Sequence, residues 1–452
     1  ERTVQLVINK ERSAAVEAPA QRDLPAATCG EVLVRFRPGT TADAIRRLAA
    51  RLNDRLEDRF EYVWGYAVMA DRDCADPEAL VAEYARQPEV EYAEPSMLIE
   101  IDPREKNLAG GPDSLSLSVL EGPNDPLLGE QWALVNTGQR EGKLKADINA
   151  LLAWSRQTGS DEVVVAVLDS GVNYMHPDLI NNMWLRPATL APYRDEHLGT
   201  IDDERGYNAV ENDGNPMDEN GHGTHCAGII GAEGNNGEGI AGVNWKVQIM
   251  PLKFMGAGGF GTTKDAVEAI NYVIARKKEG VNVRVISASW GSTRYSKALE
   301  EAVRRAGDEG ILFVAAAGNA SVNTDRSPHY PSSYQLPNVL AVAALNRRDE
   351  MASFSNFGPK SVHVAAPGAE ILSTWLGVDY EEHSGTSMAT PVVSGVAALV
   401  LAADSAMSVK ELRERLLKSV DPLDALQGKV SSGGRINAAR AVGAAASAAG
   451  SF

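Results

Sequence analysis

Three short stretches of the chain place a polar residue beside an apolar segment. Asp169 follows the apolar run in VVVAVLDSG, His222 lies in NGHGTHCAGII, and Ser387 lies in SGTSMATPVV. These residue types can build a serine nucleophile, because the histidine takes the serine proton and the aspartate orients the imidazole. Singly, Asp169 could cap a turn, His222 could occupy a helix start, and Ser387 could be an N-cap. Together they predict nucleophilic catalysis by serine.

The elements that must position these residues are apolar strands that alternate with helices from about residue 125 onward. The strands are VVVAVLDSG, VQIMPLKFM, VRVISASWG, ILFVAAAGN and NVLAVAAL, and helical patterns cover 263–278 and 296–308. This alternation predicts an α/β fold with a mostly parallel sheet, buried on both faces and flanked by helices. Functional loops of such sheets lie past the carboxyl ends of the strands, where Asp169, Gly291 and Asn319 occur.

Ser387 precedes a segment, VVSGVAALVLAAD, that is typical of a buried helix. Pro391 is tolerable only in the first turn of a helix, where the missing N–H has no intrahelical partner. We therefore expect Pro391 in the first turn and Ser387 exposed at or near the helix N-terminus.

The order of the three residues along the chain excludes two other serine-hydrolase folds. An α/β-hydrolase needs G-x-S-x-G and a histidine after the nucleophile, whereas all seven histidines here precede Ser387. The order His, Asp, Ser belongs with β-barrels, which the alternating pattern contradicts. The order Asp, His, Ser on a parallel α/β sheet remains, and it is the order found in subtilisin.

The surrounding motifs strengthen this interpretation. VAVLDSGVNYMHPDL, NGHGTHCAG, AAAGN and SGTSMATP resemble the Asp, His, oxyanion and Ser blocks of the subtilisin-like serine peptidases. GHGTHCAG is most similar to the thermitase and proteinase K branches. The resemblance runs from about Asp125 to the end of the helix after Ser387. It implies a subtilisin-like fold, endopeptidase activity, and a triad of Asp169, His222 and Ser387.

Asn319 ends the strand ILFVAAAGN and is the expected oxyanion donor. A tetrahedral intermediate needs N–H groups aimed at its oxyanion, and an Asn amide plus the Ser387 backbone N–H at a helix N-terminus would supply them. Asn319-Ala320-Ser321 is also an N-glycosylation sequon. Because a glycan there would block catalysis, we take the sequon as accidental.

The resemblance also implies two extended edges that pair with a peptide substrate, and a pocket for the residue before the scissile bond. The implied residues are Gly259, Phe260 and Gly261; Ser289, Trp290 and Gly291; and Ala317, Gly318 and His329. The small wall, with Ala315 and Ala316, predicts a preference for large apolar residues, with His329 near the pocket floor. Asp325 keeps a preference for basic residues open.

Three other patterns have competing interpretations. GAGGFG, residues 256–261, matches G-x-G-x-x-G, but a lone match is weak evidence for dinucleotide binding. His222 and His225 lack the intervening acid of a zincin motif. We expect Cys226 to be a buried thiol near the active site that makes activity sensitive to mercurials. A catalytically silent or propeptide-locked relative that only binds peptides remains the alternative function.

The N-terminal part reads as a separate module. A strand (EVLVRFRPG), a helix over 42–54, a strand (YVWGYAVMA), a helix (DPEALVAEYARQPEV) and a last strand (EYAEPSMLIEI) predict a small α+β, ferredoxin-like domain. It resembles the family's inhibitory propeptide, which implies a self-processing zymogen. We expect an arm at 1–29, the propeptide at 30–102, a linker with the processing site at 103–124, the catalytic domain at 125–442 and a tail at 443–452. Cleavage could follow Leu108, Leu115, Leu117 or Leu120, and Cys29 could pair with Cys74.

The resemblance further implies calcium, held by oxygen ligands. Asp178 follows the catalytic aspartate in HPDL, Asn236 lies in EGNNGEGIAG and Asp125 lies in NDP. A second site could use Asn208, Glu211 and Asp213, although this polar loop could equally cap the helix of His222.

Composition narrows the partners and the compartment. The 452-residue chain is 44% hydrophobic and 23% charged, which is ordinary for a globular protein, and its net charge of -17 disfavours nucleic acid and anionic membranes. No apolar run reaches the usual length of a membrane span. The chain begins at Glu1, so we expect any signal peptide to have been removed. We expect a secreted monomer whose partners are protein or peptide substrates and its own propeptide.

Overall fold

The computed structural model describes residues 30–73, 76–101, 105–106 and 122–444. Cys29, Cys74 and the four leucines proposed as cleavage positions lie outside these ranges, as do the N-terminal arm and the last eight residues of the chain.

Residues 30–95 form a four-stranded antiparallel sheet covered on one face by two helices. The elements are β1 (Glu31–Phe36), α1 (Ala42–Leu52), β2 (Asp54–Arg59), β3 (Tyr66–Asp71), α2 (Pro77–Tyr84) and β4 (Val90–Pro95). The strand order β2-β3-β1-β4 and the βαββαβ succession confirm the ferredoxin-like prediction. β2, with the sequence DRLEDR, was missed because it carries almost no apolar residues.

Several element boundaries in this N-terminal module differ from the prediction. α1 begins at its N-cap Thr41 but stops at Leu52, because Asn53 takes a left-handed conformation (φ 64°) and donates its N–H to the Ala49 carbonyl. The predicted strand YVWGYAVMA is paired only from Tyr66 onward. The predicted last strand is split between two sheets, since β4 ends at Pro95 and a separate β5 (Leu98–Glu100) follows.

The larger domain is built on a nine-stranded sheet with the order β10-β11-β7-β13-β14-β15-β16-β20-β19. Its strands are β7 (Gly159–Asp169), β10 (Tyr207–Asn208), β11 (Lys246–Lys253), β13 (Val283–Ala288), β14 (Leu312–Ala316), β15 (Val339–Leu345), β16 (Val364–Pro367), β19 (Val420–Pro422) and β20 (Gly434–Ile436). All neighbouring pairs are parallel except β19–β20. The predicted buried, mostly parallel sheet is thereby confirmed.

Helices cover both faces of this sheet. The helices are α3 (Ala150–Trp154), α4 (His222–Gly231), α5 (Thr263–Lys278), α6 (Lys297–Asp308), α7 (Thr386–Ala403), α8 (Val409–Lys418) and α9 (Ala438–Ala441). Side chains alternate along β7: Val163, Val165 and Val167 pack with α4 and α7, while Val164, Ala166 and Leu168 pack with α5 and α6. Two apolar layers, one on each face of the sheet, therefore fix the positions of the helices relative to the carboxyl ends of the strands.

Helix starts follow the local sequence closely. α5 covers the predicted residues 263–278, because Thr262 and Asp265 form a capping box at its N-terminus. α6 begins at Lys297, since Ser296 is the N-cap and accepts a hydrogen bond from the Leu299 N–H.

Three small sheets complete the fold. β5 pairs with β12 (Phe260–Thr262), β8 (Tyr193–Asp195) pairs with β9 (Gly199–Ile201), and β18 (Tyr380–Ser384) pairs with both β17 (Ile371–Thr374) and β6 (Glu105–Lys106). Two short segments around the expected domain junction therefore add strands to the larger domain.

The N-terminal module docks on helices α5 and α6 through an apolar surface, here called the docking face. The docking face consists of Leu33, Phe60, Val63, Tyr66, Val68 and Ile99, which are all buried in one cluster with α5 and α6. The opposite side of the same small sheet packs on α1 and α2. The module's sheet is thus covered by its own helices on one side and by the larger domain on the other.

Polar contacts fix the orientation of the docked module. Glu94 on β4 lies at the N-terminus of α6, where its carboxylate accepts hydrogen bonds from the Lys297 and Ala298 N–H groups and from the Ser296 hydroxyl. Negative charge is favoured at a helix N-terminus because the N–H groups there have no intrahelical partner. Asn271 on α5 accepts from the Tyr62 N–H at 2.8 Å.

We expect Glu94→Gln to weaken the docking of the module by roughly 10- to 100-fold, since a buried hydrogen-bonded charge typically contributes about 1.5–3 kcal/mol. If the module is an inhibitor, activity will appear sooner during self-processing. The matched control is Glu91→Gln on the same strand, where the side chain is partly exposed and pairs only with Arg35. An equal effect of both variants would contradict a specific role of Glu94 at the N-terminus of α6.

The helix α7, which carries Ser387, lies in the core. Among the described residues, α7 is the one helix that is both long enough and apolar enough to cross a membrane. However, 89% of this stretch is buried within the protein, as in the core helix of a globular domain.

Candidate active site

Asp169 and His222 form a buried pair at the carboxyl edge of the sheet. Asp169 is the last residue of β7 and His222 is the first residue of α4. The imidazole Nδ1 lies 2.7 Å from the Asp169 Oδ1, and neither residue is exposed. A carboxylate at Nδ1 holds the ring in the tautomer whose Nε2 can accept a proton.

Close packing makes this pair possible. A Cβ on Gly223 would lie 2.0 Å from the Gly171 carbonyl oxygen and 3.1 Å from the Asp169 Cβ, so only glycine lets α4 approach the strand end. Asp218 holds the start of the helix by accepting from the Gly221 N–H and from the Thr224 N–H and hydroxyl. Sequence reasoning missed Asp218, although an acid just before a helix is a recognisable capping signal.

Ser387 is the second residue of α7 and is fully buried rather than exposed. Its hydroxyl donates to the Ser289 carbonyl oxygen at 2.9 Å, while the Nε2 of His222 is buried without a hydrogen-bond partner among the described residues. Two N-terminal segments, Leu98–Glu100 and Glu105–Lys106, pair with the larger domain beside this site. Ser387 is therefore buried while these segments are in place.

Pro391 is the sixth residue of α7 and not part of the first turn, so that prediction was wrong. A proline there cannot donate to the carbonyl of Ser387, four residues earlier. That carbonyl instead accepts from the Ser289 hydroxyl at 2.9 Å, and the Cys226 Sγ lies 3.6 Å away. The proline therefore leaves the carbonyl of Ser387 available to anchor the serine to β13 and α4.

Cys226 links the two halves of the site. Its thiol is buried on α4, one turn after His222, and its sulfur lies with ligand atoms of Asp169 and His222 in a group whose members are within 4.8 Å of one another. Asp169, His222 and Ser387 are therefore gathered at one end of the α4–α7 packing.

Asn319 follows β14 and is oriented by the helix of Ser387. Its Oδ1 accepts hydrogen bonds from the Thr386 N–H at 2.8 Å and from the Thr386 hydroxyl at 2.9 Å. With the oxygen engaged there, the amide Nδ2 lies on the other side of the group, 3.2 Å from the position of a Cβ on Gly385. An N–H donor and the N-terminus of α7 therefore lie next to each other.

The edges expected to bind substrate are paired with residues of this chain. Phe260–Thr262 forms an antiparallel pair with Leu98–Glu100, and the Ile101 N–H donates to the Gly259 carbonyl oxygen at 3.0 Å. Glu100 also bridges to Gly291, which follows Ser289 and Trp290. A peptide thus lies as an added strand between the two expected edges. The Trp290 side chain faces the core, where its ring N–H donates to the Leu168 carbonyl oxygen.

The glycines of GAGGFG have a role in this pairing. Gly259 has a φ of 77°, and a Cβ on Gly261 would lie 2.0 Å from the Phe254 carbonyl oxygen. They form a tight turn that ends in the edge strand β12, which contacts Leu98–Glu100.

The expected substrate pocket has a histidine between its two walls. A Cβ on Gly291 would lie 2.0 Å from His329 Cε1, and a Cβ on Gly318 would lie 3.0 Å from its Nε2. His329 is buried, and Ala315, Ala316 and Ala317 line the adjoining strand end without exposed surface. The carboxylate of Asp325 accepts from the Ser361 N–H and hydroxyl, so it is engaged within its own loop.

The first group of expected calcium ligands lies together. Asp178 accepts from the Asn236 side chain at 2.9 Å and from the Ile240 N–H, and Asp125 accepts from the Asn235 N–H. Burial, with a smaller effect from the nearby charge of Asp125, raises the pKa of Asp178 to about 6. The Oδ1 of Asp125 is buried without a hydrogen-bond partner among the described residues, so this donor set fits an oxygen-binding cation.

The second expected calcium group has less support. The Asn208 side chain accepts from the Val210 and Glu211 N–H groups of its own loop, whereas Glu211 and Asp213 are exposed. The Asn208 side chain therefore stabilises its own loop.

Comparisons with known proteins agree with this geometry. A model of the subtilase family matches residues 160–444, and a model of the fervidolysin N-terminal prodomain matches residues 13–96. The chain is 34% identical to the thermophilic serine proteinase of Bacillus sp. (strain AK1) over 91% of this chain and 87% of that protein. It is 37% identical to the thermitase of Thermoactinomyces vulgaris over 71% of this chain and 99% of that protein.

A solved structure points to the same fold. A protease from Pseudoalteromonas arctica matches with a TM-score of 0.58 and 28% identity, over 72% of this chain and 99% of that one.

Proposed function

Because this chain belongs to the subtilase family of serine peptidases and carries a prodomain, we propose that it is a secreted, self-processing serine endopeptidase with the triad Asp169, His222 and Ser387. The observation that carries the proposal is the buried 2.7 Å contact between Asp169 and His222, next to Ser387 at the start of α7.

Catalysis begins with attack by the Ser387 hydroxyl on the carbonyl carbon of the scissile peptide bond. Rotation of this hydroxyl away from the Ser289 carbonyl turns its proton toward His222, which accepts it at Nε2. The Asp169 carboxylate stabilises the imidazolium that forms. His222 then gives the proton to the leaving amine, and an acyl-enzyme remains. Water, activated by the same histidine, hydrolyses that ester and restores Ser387.

Asn319 stabilises the oxyanion together with the Ser387 backbone N–H. The two hydrogen bonds from Thr386 fix the amide before the reaction, so little reorganisation is needed when negative charge develops.

We expect Asn319→Ala to lower kcat by about 10²–10³-fold with a small change in KM, the range known for the same substitution type in subtilisin. Ser321→Ala is the matched control, since it removes the glycosylation sequon and leaves the Asn319 amide intact. Steady-state kinetics on a peptide amide would measure both. Equal losses in both variants would contradict the oxyanion role.

We propose that self-processing occurs in the linker 103–124, where of the residues before 122 the described ranges include Glu105 and Lys106 alone. Ile101 continues the strand between the two substrate edges, and Glu105 pairs with Ser384, three residues before Ser387.

For substrates we propose a preference for a large apolar residue before the scissile bond, based on the alanine-lined wall. His329 sits between Gly291 and Gly318 and sets the width of that pocket. Secretion is supported by relatives named as extracellular, the Halolysin-like extracellular serine protease Nep of Natrialba magadii and the minor extracellular protease Epr of Bacillus subtilis.

Calcium is proposed as a structural cofactor at Asp125, Asp178 and Asn236. These residues would hold the ion, whose positive charge would stabilise the loop 233–241 against the start of the catalytic domain.

We expect chelation of calcium by EGTA to lower the free energy of unfolding, by about 2.7 kcal/mol when calcium had been present at 100 times its Kd. Asp125→Asn keeps the acceptor for the Asn235 N–H but removes the charge, so it should abolish the response to EGTA. Asp213→Asn, an exposed acid in the other loop, should retain it. Thermal unfolding with and without EGTA would measure this, and a wild type that does not respond would contradict the site.

The proposal is tested by labelling with a serine-directed fluorophosphonate after the prodomain has been removed with added protease. We expect one label per chain, on the tryptic peptide that contains Ser387. Absence of label would favour the second candidate, a catalytically silent peptide-binding protein, for which the strand Leu98–Glu100 bound between two edges is the supporting observation.

A further inference from the structure

A group of acidic side chains is buried where the prodomain meets the catalytic domain. Asp58 lies on β2 of the prodomain, Asp195 ends β8 and Glu268 lies on α5. Their exposed fractions are 5%, 2% and 2%. Among residues of the described ranges, no lysine or arginine forms an ion pair with any of the three. Buried carboxylates are costly unless a positive charge or a proton compensates them.

His197, in the turn between β8 and β9, adds a nitrogen ligand to this group. Its Nδ1 lies 3.8 Å from Asp58 Oδ1, and ligand atoms of Asp58, Asp195 and His197 all lie within 4.8 Å of one another. Within the described part of the chain, two buried atoms here have no hydrogen-bond partner, the His197 Nδ1 and the Asp195 Oδ2, whereas the Glu268 carboxyl contacts that of Asp58. These two atoms are therefore shielded from water without a hydrogen bond to replace it.

The positive charges near the group, Lys264 beside Asp58 and Arg46 and Arg59 near His197, form no ion pair with it among the described residues. Burial raises the pKa of Asp58 to about 6, with the charge of Asp195 adding to the effect. Burial also raises the pKa of Glu268 well above its usual value, and Asp58 and Asp195 raise it further. Burial lowers the pKa of His197, and a neutral imidazole nitrogen is a common metal ligand.

We propose that Asp58, Asp195, His197 and Glu268 bind a divalent transition ion of the zinc type, which joins the prodomain to the catalytic domain. Imidazole nitrogen and carboxylate oxygen are both zinc ligands. Tetrahedral ligands about 2.1 Å from the ion are about 3.4 Å apart, so side chains now within 4.8 Å must close by roughly 1 Å. Glu268 reaches the group through its carboxyl contact with Asp58.

Two cavities adjoin the group, and cationic side chains also line them, Arg55 and Lys264 in one and Arg46, Arg59 and Arg194 in the other. One of about 250 Å³ is lined by Asp58 and Glu268, and one of about 590 Å³ is lined by Asp195 and His197. Because Asp58 belongs to one domain and the other ligands to the other, a complete site exists only while the prodomain is docked. The ion would therefore stabilise the docked state by mass action.

The test uses the full-length Ser387→Ala chain, which stays uncleaved, so the outcome does not depend on catalysis. Zinc is titrated by calorimetry at pH 7 with millimolar calcium present. We expect one zinc ion to bind per chain. Asp195→Asn should raise the Kd for zinc at least tenfold, and so should His197→Gln. Glu196→Gln, which neutralises the exposed acid between these two ligands, is the matched control and should bind as the parent does.

Two results would overturn the site. One is no zinc uptake by the parent chain, which would mean that protons alone compensate the carboxylates. The other is zinc that survives Asp195→Asn and His197→Gln but is lost in Cys226→Ser, which would assign the ion to the group of Asp169, His222 and Cys226. Far-ultraviolet circular dichroism without zinc verifies that each variant is folded.

Discussion

Replacing Ser387 with alanine should lower kcat by about 10⁶-fold and stop self-processing, since loss of the nucleophile has an effect of this size in subtilisin. The substitution removes one oxygen from the second residue of α7 and the hydrogen bond to the Ser289 carbonyl. The Ser387 carbonyl still accepts from the Ser289 hydroxyl, so the start of the helix keeps its anchor. We therefore expect a folded chain of full mass that does not shorten with time, read by mass spectrometry beside the wild type.

Ser394→Ala is the matched control for this prediction. Ser394 lies two turns further along the same helix, is equally buried, and bonds to the Ser287 hydroxyl instead of the active site. This variant should process itself at nearly the wild-type rate. If the Ser387→Ala chain were shortened at the same position and the same rate, the nucleophile would be another residue or a contaminating protease.

Asp169→Asn should lower kcat by about 10⁴-fold while the fold is retained. Asparagine is nearly the same shape, but it can present its NH₂ group to the imidazole and so favour the tautomer with the proton on Nε2, which cannot accept the Ser387 proton. It also removes the charge that stabilises the imidazolium. The measurement is kcat on a peptide substrate, together with the melting temperature.

The control for Asp169→Asn lies on the same strand. Asp161 is near the exposed start of β7, far along the strand from the active site, and Asp161→Asn should change kcat by less than twofold. A loss of less than tenfold in Asp169→Asn would mean that His222 is oriented by something other than this carboxylate.

Much of the catalytic domain could be predicted because its signals are local. Alternation of apolar strands and helices determines a parallel sheet, and the Thr262–Asp265 capping box defines the start of α5 within the sequence itself. The same holds for Asp169 and His222, since each follows a clear strand or helix signal at the edge where functional loops gather.

The features that escaped prediction depend on residues distant in sequence. β2 is a strand because β3 pairs with it, whereas most of its own residues are charged. Pro391 is tolerated inside α7 because Ser289, about a hundred residues away, takes over the carbonyl that the proline leaves unbonded. The metal-ligand group joins Asp58 to Asp195 across two domains, and no spacing rule can indicate such a contact.

If the proposed self-processing releases the prodomain, the docking face would make that release a one-way event. While the prodomain is attached, its sheet is covered on both sides, by α1 and α2 and by the catalytic domain. After release, Leu33, Phe60, Val63, Tyr66 and Val68 meet water, and a chain of this size retains only a small core on one side of the sheet. The freed segment should then lose its structure and become a substrate of the proposed peptidase. If the prodomain is an inhibitor, the released segment could then no longer inhibit the enzyme again.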